Sequence, residues 1–352
     1  EVYKEEALQR AALLDGQGIR GRLHGVIIGI KDNILYKDHP ATAASKILKG
    51  FTSIYSATAV KRLINEGAII IGRHNCDEFG MGSTNENSAY GPVLNPVNNA
   101  HVAGGSSGGS AAAVGAGLCM AALGSDTGGS VRLPADFCGV VVYKPAYGSV
   151  SRYGLIAYGS SFDQIGILAK NITDVETILD VISGPDDFDS TVSSHKLVFQ
   201  DQEKNKYRIA YFPEWIDHPS IDPEIASALK NQIQSLTEDG HEVKAVPFPL
   251  TDFIVPTYYI LTTAEASSNL ARYDGARFGY RSAKVAGTIQ EFYQNNRTEG
   301  FGREVKRRIM LGSFVLSAGY FDAYFTKAQQ VRQQLVHQTN EIFNGFDFII
   351  AP

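Results

Sequence analysis

The chain is poor in cysteine, has no long apolar run and carries no excess of positive charge, and each shortage removes a class of protein. Cys76, Cys119 and Cys138 are odd in number and scattered, without the spacing of a metal site. A disulfide scaffold is thereby excluded, and reduced, packed thiols are expected. No uninterrupted apolar stretch approaches the roughly 20 residues of a membrane span, and the first residues lack a basic-then-apolar signal pattern. A cytoplasmic location without membrane attachment is the expectation. With 32 basic against 37 acidic side chains the formal charge is −5, so the chain as a whole is not an electrostatic trap for nucleic acid. Internal repeats, low-complexity tracts and flexible linkers are missing too, which favours one continuous domain over residues 1–352.

What is present is a large apolar fraction, 44% of 352 residues, enough to bury a sizeable core. Residues 1–14 read as an amphipathic helix. Thr58 to Glu66 carries Val60, Leu63 and Ile64 at helical spacing and stops at Gly67, after which Ala68 to Ile71 reads as a short buried strand. Ser110 to Leu118 is almost all Ala, Gly and Val, the mark of a helix packed too tightly for large side chains, and Met120 to Leu123 follows as a strand. Thr173 and Glu176 have the spacing of a capping box ahead of Val175, Ile178, Leu179 and Ile182. Residues 185–206 read as a polar surface excursion and Tyr207 to Phe212 as a strand. Asp222-Pro223 opens a further helix closed by Gly240, ahead of a strand at His241 to Val246. From Tyr258 onward the pattern is mostly helical, and residues 348–352 read as a buried strand stopped abruptly, as in a fragment. Helix and strand alternate in the manner of an α/β sandwich.

Two glycine-rich runs hold the chemistry. Gly104-Gly105-Ser106-Ser107-Gly108-Gly109-Ser110 and Gly124-Ser125-Asp126-Thr127-Gly128-Gly129-Ser130 are separated by one helix of small residues and one short strand, so two hydroxyls reach neighbouring loops. Glycine lets the backbone approach a ligand and aim its N–H groups inward. Serine at its ordinary pKa is a poor nucleophile and needs a base. One solution is the nucleophile elbow of an α/β-hydrolase at Gly104-x-Ser106-x-Gly108, with its histidine from His195, His218, His241 or His337. The other makes Ser130 the nucleophile, Ser106 its proton relay and Lys31 the base. That lysine ends the apolar run Val26-Ile27-Ile28-Gly29-Ile30, and burial there would depress its pKa from roughly 10.4. A phosphate-binding role for the glycine runs is disfavoured, since no lysine follows either run as in a P-loop.

The second solution coincides with a resemblance. From about Leu23 to Ile167, through both glycine runs, Val131-Arg132-Leu133-Pro134, Phe137-Cys138-Gly139, Lys144-Pro145 and Ser161-Phe162-Asp163-Gln164-Ile165-Gly166, the chain resembles the amidase signature family. The resemblance implies an α/β/α sandwich around a large mixed β-sheet, with its core at residues 22–170. It also implies a Ser-Ser-Lys triad of Lys31, Ser106 and Ser130, a cis peptide before Ser106, and oxyanion-hole N–H groups from Thr127, Gly128, Gly129 and Ser130. Residues 77–83, 151–157, 265–270 and 300–309 are similar to the branch of the family that serves tRNA-dependent amidation. That likeness implies a glutaminase subunit of a heterotrimer with subunits B and C, which hands ammonia to a partner that amidates mischarged Glu-tRNA or Asp-tRNA. Tyr259 and Arg308 would hold the glutamine backbone groups, with Arg307 as competitor, and Met81 would line the pocket. No cofactor is implied for this subunit; ATP and magnesium would belong to the partner, as would most of the tRNA contact. A stand-alone amidase of broad specificity would use the same triad. Ile27, Leu133, Asp136, Val142 and Ser149 depart from the family pattern, and Asp136 is expected to raise the pKa of Lys31 or alter the pocket edge. The chain also stops where the family continues into a stretch that supplies an acidic ligand for the glutamine α-amino group.

Overall fold

A computed structural model describes residues 1–19, 21–194 and 205–352. The chain divides into two compact units, one of residues 1–198 and 262–314 and the other of residues 199–261 and 315–352. The sequence carries no linker that announces this division, because the second unit is assembled from two separate stretches.

In the first unit, runs rich in Ile and Val make β1 (Ile27–Lys31), β2 (Ile69–His74), β4 (Val141–Tyr143) and β5 (Gln164–Ala169), and the small-residue run Ala121–Asp126 makes β3. They form a mixed sheet in the order β2-β1-β3-β5-β4, with β1 parallel to β2 and β3, and β5 antiparallel to β3 and β4. Alternation along each strand divides the side chains between two cores. Ile28, Ile30, Ala121, Leu123, Ile165 and Ile167 pack against Val60 and Leu63 of α2 (Thr58–Asn65) and Val175, Ile178 and Leu179 of α5 (Ile172–Ile182). Ala122 and Leu168 face the other way, against Ala111 and Val114 of α3 (Gly108–Gly115) and Ala135 of α4 (Arg132–Phe137). Helices on both faces of a mixed sheet make the expected α/β/α sandwich. The N-terminal helix α1 (Lys4–Asp15) buries Ala7 and Leu14 beside Ile69.

The small-residue helix explains itself. A Cβ on Gly115 would stand 3.0 Å from Pro96 Cγ and 3.1 Å from the Cys138 carbonyl oxygen, so the helix approaches its neighbours closely enough that a larger side chain there would force them to shift. It starts two residues earlier and ends three earlier than the sequence suggests, and Gly117, at φ +72°, turns the chain towards β3. The cap of α5 is also displaced from expectation. Asn171, not Thr173, accepts the N–H of Asp174 at 2.8 Å, which leaves Thr173 inside the first turn. All three cysteines are free and buried, as expected of packing thiols.

The second unit has its own parallel sheet, β7-β6-β8, from β6 (Arg208–Tyr211), β7 (Glu242–Ala245) and β8 (Phe348–Ile350). Phe212, Trp215 and Phe248 form its aromatic core, with ring centroids 4.6 to 5.7 Å apart. Its helices include α6 (Pro213–Ile216), α7 (Pro223–Glu238) and α11 (Lys327–Gly345). Asp222 caps α7 by accepting the N–H of Glu224, and Gly240 at φ +89° ends it, both as the sequence indicates. Strand β8 is less buried than its composition suggests, since it pairs on one side only and Phe348 is exposed. Helices α8 (Thr251–Asn269) and α10 (Arg303–Val315) each contribute residues to both units, and α9 (Ile289–Gly300) lies within the first. The polar stretch expected at 185–206 lies partly outside the described residues, at 195–204.

Candidate active site

Parallel pairing of β1 with β3 brings the C-terminal ends of both strands to the same edge of the sheet, where ligand sites of open α/β sheets form. Lys31 is the last residue of β1. Ser125 and Asp126 end β3 and lead into the turn that carries Ser130. The loop before α3 supplies Ser106 and Ser107, and the Gly105–Ser106 peptide is cis, as the family resemblance implies.

Lys31 is fully buried, yet its amine is surrounded by oxygen. Nζ lies 2.7 Å from Ser106 Oγ, 2.9 Å from both Ser107 Oγ and Ser125 Oγ, and 3.4 Å from the Ser125 carbonyl oxygen. Burial lowers the lysine pKa from its usual 10.5, and the nearby Cys76, Asp77, Asp126 and Asp163 act against that shift. Burial thus prevails, and the amine is more easily deprotonated than a surface lysine. Ser107 Oγ donates to the Ser125 carbonyl at 3.1 Å and accepts the Ser125 N–H at 3.2 Å, and the Asn33 side-chain amide lies 2.9 Å from Ser125 Oγ. Ser106 has a lysine rather than a histidine as its side-chain partner, which disfavours the hydrolase elbow; of the histidines considered for it, His195 lies outside the described residues.

Ser130 is buried and follows a turn held by a carboxylate. Asp126 Oδ1 accepts the N–H of Gly129 at 2.7 Å and Oδ2 that of Val131 at 3.0 Å, while the Arg132 guanidinium meets both oxygens at 3.1 and 3.2 Å. Burial alone would raise the Asp126 pKa, but Arg132 and the two N–H groups outweigh it and hold the carboxyl below the usual range. The same bond bears on one expectation: the Gly129 N–H, expected in an oxyanion hole with those of Thr127, Gly128 and Ser130, is committed to Asp126 instead. Thr127 is fixed from the other side, its hydroxyl donating to Asp163 Oδ1 at 2.6 Å. Asp163 also accepts the N–H groups of Tyr158 and Gly159, and burial pushes its pKa up to about 6.

Of the residues expected to bind substrate, Met81 is fully buried in the loop after Gly80, and a Cβ on Gly80 would stand 3.5 Å from Ser106 Oγ. Arg308, on α10, is 6% exposed and donates to Glu304 Oε1 and the Tyr158 hydroxyl, both at 2.7 Å. Its competitor Arg307 pairs with Glu304 on the exposed side, which favours Arg308 as the inward guanidinium. Tyr259 belongs to α8 in the second unit, half-buried, with its ring edge-on to Tyr258 at 5.5 Å. Asp136 is exposed on α4, and the carboxylates acting on Lys31 are Asp77, Asp126 and Asp163 instead. Sequence reasoning assigns no role to Asn33, Ser107, Ser125, Asp126, Tyr158 or Asp163. The available signal is polarity at the ends of apolar strands, at Asn33 two residues past Lys31 and at Ser125-Asp126 after Ala121 to Leu123.

A buried amine against a serine, beside a second serine on a turn with N–H groups left to donate, is equipped for acyl transfer. The amidase family model matches residues 1–352, and the chain belongs to that family. It is 53% identical over 360 residues to a Chlorobium luteolum protein named as the A subunit of glutamyl-tRNA(Gln) amidotransferase, covering 100% of this chain and 74% of that protein. Among solved structures, the A subunit of the Thermotoga maritima glutamyl-tRNA(Gln) amidotransferase matches with TM-score 0.78 at 38% identity, over 98% of this chain and 76% of the other. A structure described as an amidase matches with TM-score 0.81 at 28% identity, over 99% of this chain and 72% of the other. Among the described residues, no helix is long and apolar enough to cross a membrane.

Proposed function

We propose that this chain is the glutamine-hydrolysing subunit of a tRNA-dependent amidotransferase. Ser130 Oγ attacks the side-chain carbonyl carbon of glutamine while its proton passes to Ser106 Oγ and the Ser106 proton passes to Lys31 Nζ. The N–H groups of Thr127, Gly128 and Ser130 hold the oxyanion. The proton returns along the same path to the departing nitrogen, so ammonia leaves and a glutamyl ester remains on Ser130. Water, deprotonated by the same relay, releases glutamate.

The observation that carries this reading is the 2.7 Å contact between a fully buried lysine amine and Ser106 Oγ. Arg308 suits a carboxylate because its planar fork presents paired donors, and the family resemblance adds Tyr259 and Met81 as glutamine ligands. The names of the relatives, each the A subunit of a glutamyl-tRNA(Gln) amidotransferase, support the assignment to amidation of Glu-tRNA(Gln) in a complex of several subunits, and the family resemblance adds subunits B and C as the partners. The chemistry assigned to this chain takes no cofactor; ATP and magnesium serve the amidating partner, which also makes most of the tRNA contact. Ammonia release from glutamine by the purified chain, alone and with candidate partner subunits, tests the reading against Ser130→Ala. Activity that rises with the partners supports it. High activity towards varied amides with no gain from partners would favour a stand-alone amidase instead.

A further inference from the structure

Three serine hydroxyls surround the Lys31 amine, yet a relay works only if one of them sends its proton there. Ser107 cannot, because its proton is donated to the Ser125 carbonyl. Ser125 is the rival of Ser106, since its Oγ is 2.9 Å from Nζ. Its other side-chain contact is the Asn33 amide, 2.9 Å away, and Asn33 Oδ1 is buried without a partner. A half-turn of that amide exchanges oxygen and nitrogen, so the orientation is assigned from what the Ser125 hydroxyl needs. One amide atom lies without a partner in either. Only with Oδ1 towards Ser125, however, does the Ser125 proton find an acceptor other than the amine.

We propose that Asn33 is a positioning residue for the general base: its amide takes up the Ser125 proton, so that Ser125 Oγ only accepts from Lys31 and the amine lone pair is left to Ser106. In this arrangement a neutral amine donates its two N–H groups to Ser107 and Ser125 and accepts from Ser106, its shortest contact at 2.7 Å. No bond is made or broken by Asn33 itself. The proposal rests on the catalytic reading above, in which Lys31 is the base.

The test is steady-state glutamine hydrolysis by the full chain across pH, for Asn33→Leu, Asn33→Asp, Ser125→Ala and the Asn33→Leu/Ser125→Ala pair. Asn33→Leu should lower kcat by about ten- to a hundredfold at constant KM, because the relay is misdirected while glutamine binding is untouched. In the Ser125→Ala background, where the competing proton is gone, Asn33→Leu should cost nothing further. Asn33→Asp keeps an acceptor, so kcat should recover at high pH, but the added negative charge favours the ammonium and moves the acid limb of kcat upward. That limb also decides the matter if Asn33→Leu does not fold. Losses that multiply in the double variant, or an Asn33→Asp limb that does not move, overturn the proposal. Failure of glutamine to acylate Ser130 in the unaltered chain would instead remove the catalytic reading, and mapping the acyl group tells the two failures apart.

Discussion

Asp126 grips the turn that presents Ser130 through the N–H of Gly129, 2.7 Å from Oδ1. One carboxylate therefore does two things: it closes the turn and removes one N–H from the set that can face substrate.

Asp126→Ala should break that arrangement. It leaves the Gly129 and Val131 N–H groups without acceptors, and a buried donor left unsatisfied costs about 1–3 kcal/mol. A loosened turn should also lower kcat for glutamine hydrolysis by about 10²–10³, the range for a lost oxyanion donor. Thermal unfolding and steady-state kinetics check both. The depressed Asp126 pKa adds a sign: its contribution to stability is present above the unfolded carboxylate pKa and is lost as pH falls through the lower folded value.

Lys31 predicts the same direction of change, but at alkaline pH. Its folded pKa lies below the usual 10.5, so between the two values the unfolded chain holds a proton that the folded chain does not. Stability attributable to this site should rise with pH across that window. Lys31→Met should remove the rise, measured by denaturant unfolding at a series of pH values, and should lower kcat by about 10²–10⁴ as a lost general base does.

Asp163 titrates nearer neutrality, at about 6, because it is buried. Between 3.8 and about 6 the folded chain holds a proton that the unfolded chain has released, so this site's contribution is complete below 3.8 and is lost as pH rises through 6. Asp163→Asn should flatten that part of the stability profile. It should also keep an oxygen for the Thr127 hydroxyl, so that hydrolysis at neutral pH falls less than in Asp163→Ala.

Much of the site is legible in the sequence because the local signals are strong. Lys31 ends a run of Ile and Val, and the two glycine runs flank one helix and one strand, so the meeting of Lys31 with Ser106 follows from strand order and small-residue packing. The α5 cap lies two residues from the expected position because Asn171 and Thr173 both head plausible N-termini, and only the backbone shows which oxygen reaches an N–H. The commitment of Gly129 is invisible in sequence for a similar reason: it depends on how the chain folds back over Asp126. The second unit is hidden because strands at 208–211, 242–245 and 348–350 are far apart in sequence, and nothing local tells which sheet they join. Asn33 lies only two residues from Lys31, but its link to the amine passes through Ser125, 92 positions away.

The most direct measurement is the site of acylation. Rapid quenching of the chain with isotopically labelled glutamine, followed by peptide mapping, should find the glutamyl label on Ser130, absent in Ser130→Ala and formed far more slowly in Lys31→Met. Label on Ser106, or undiminished labelling without the lysine amine, would contradict the relay.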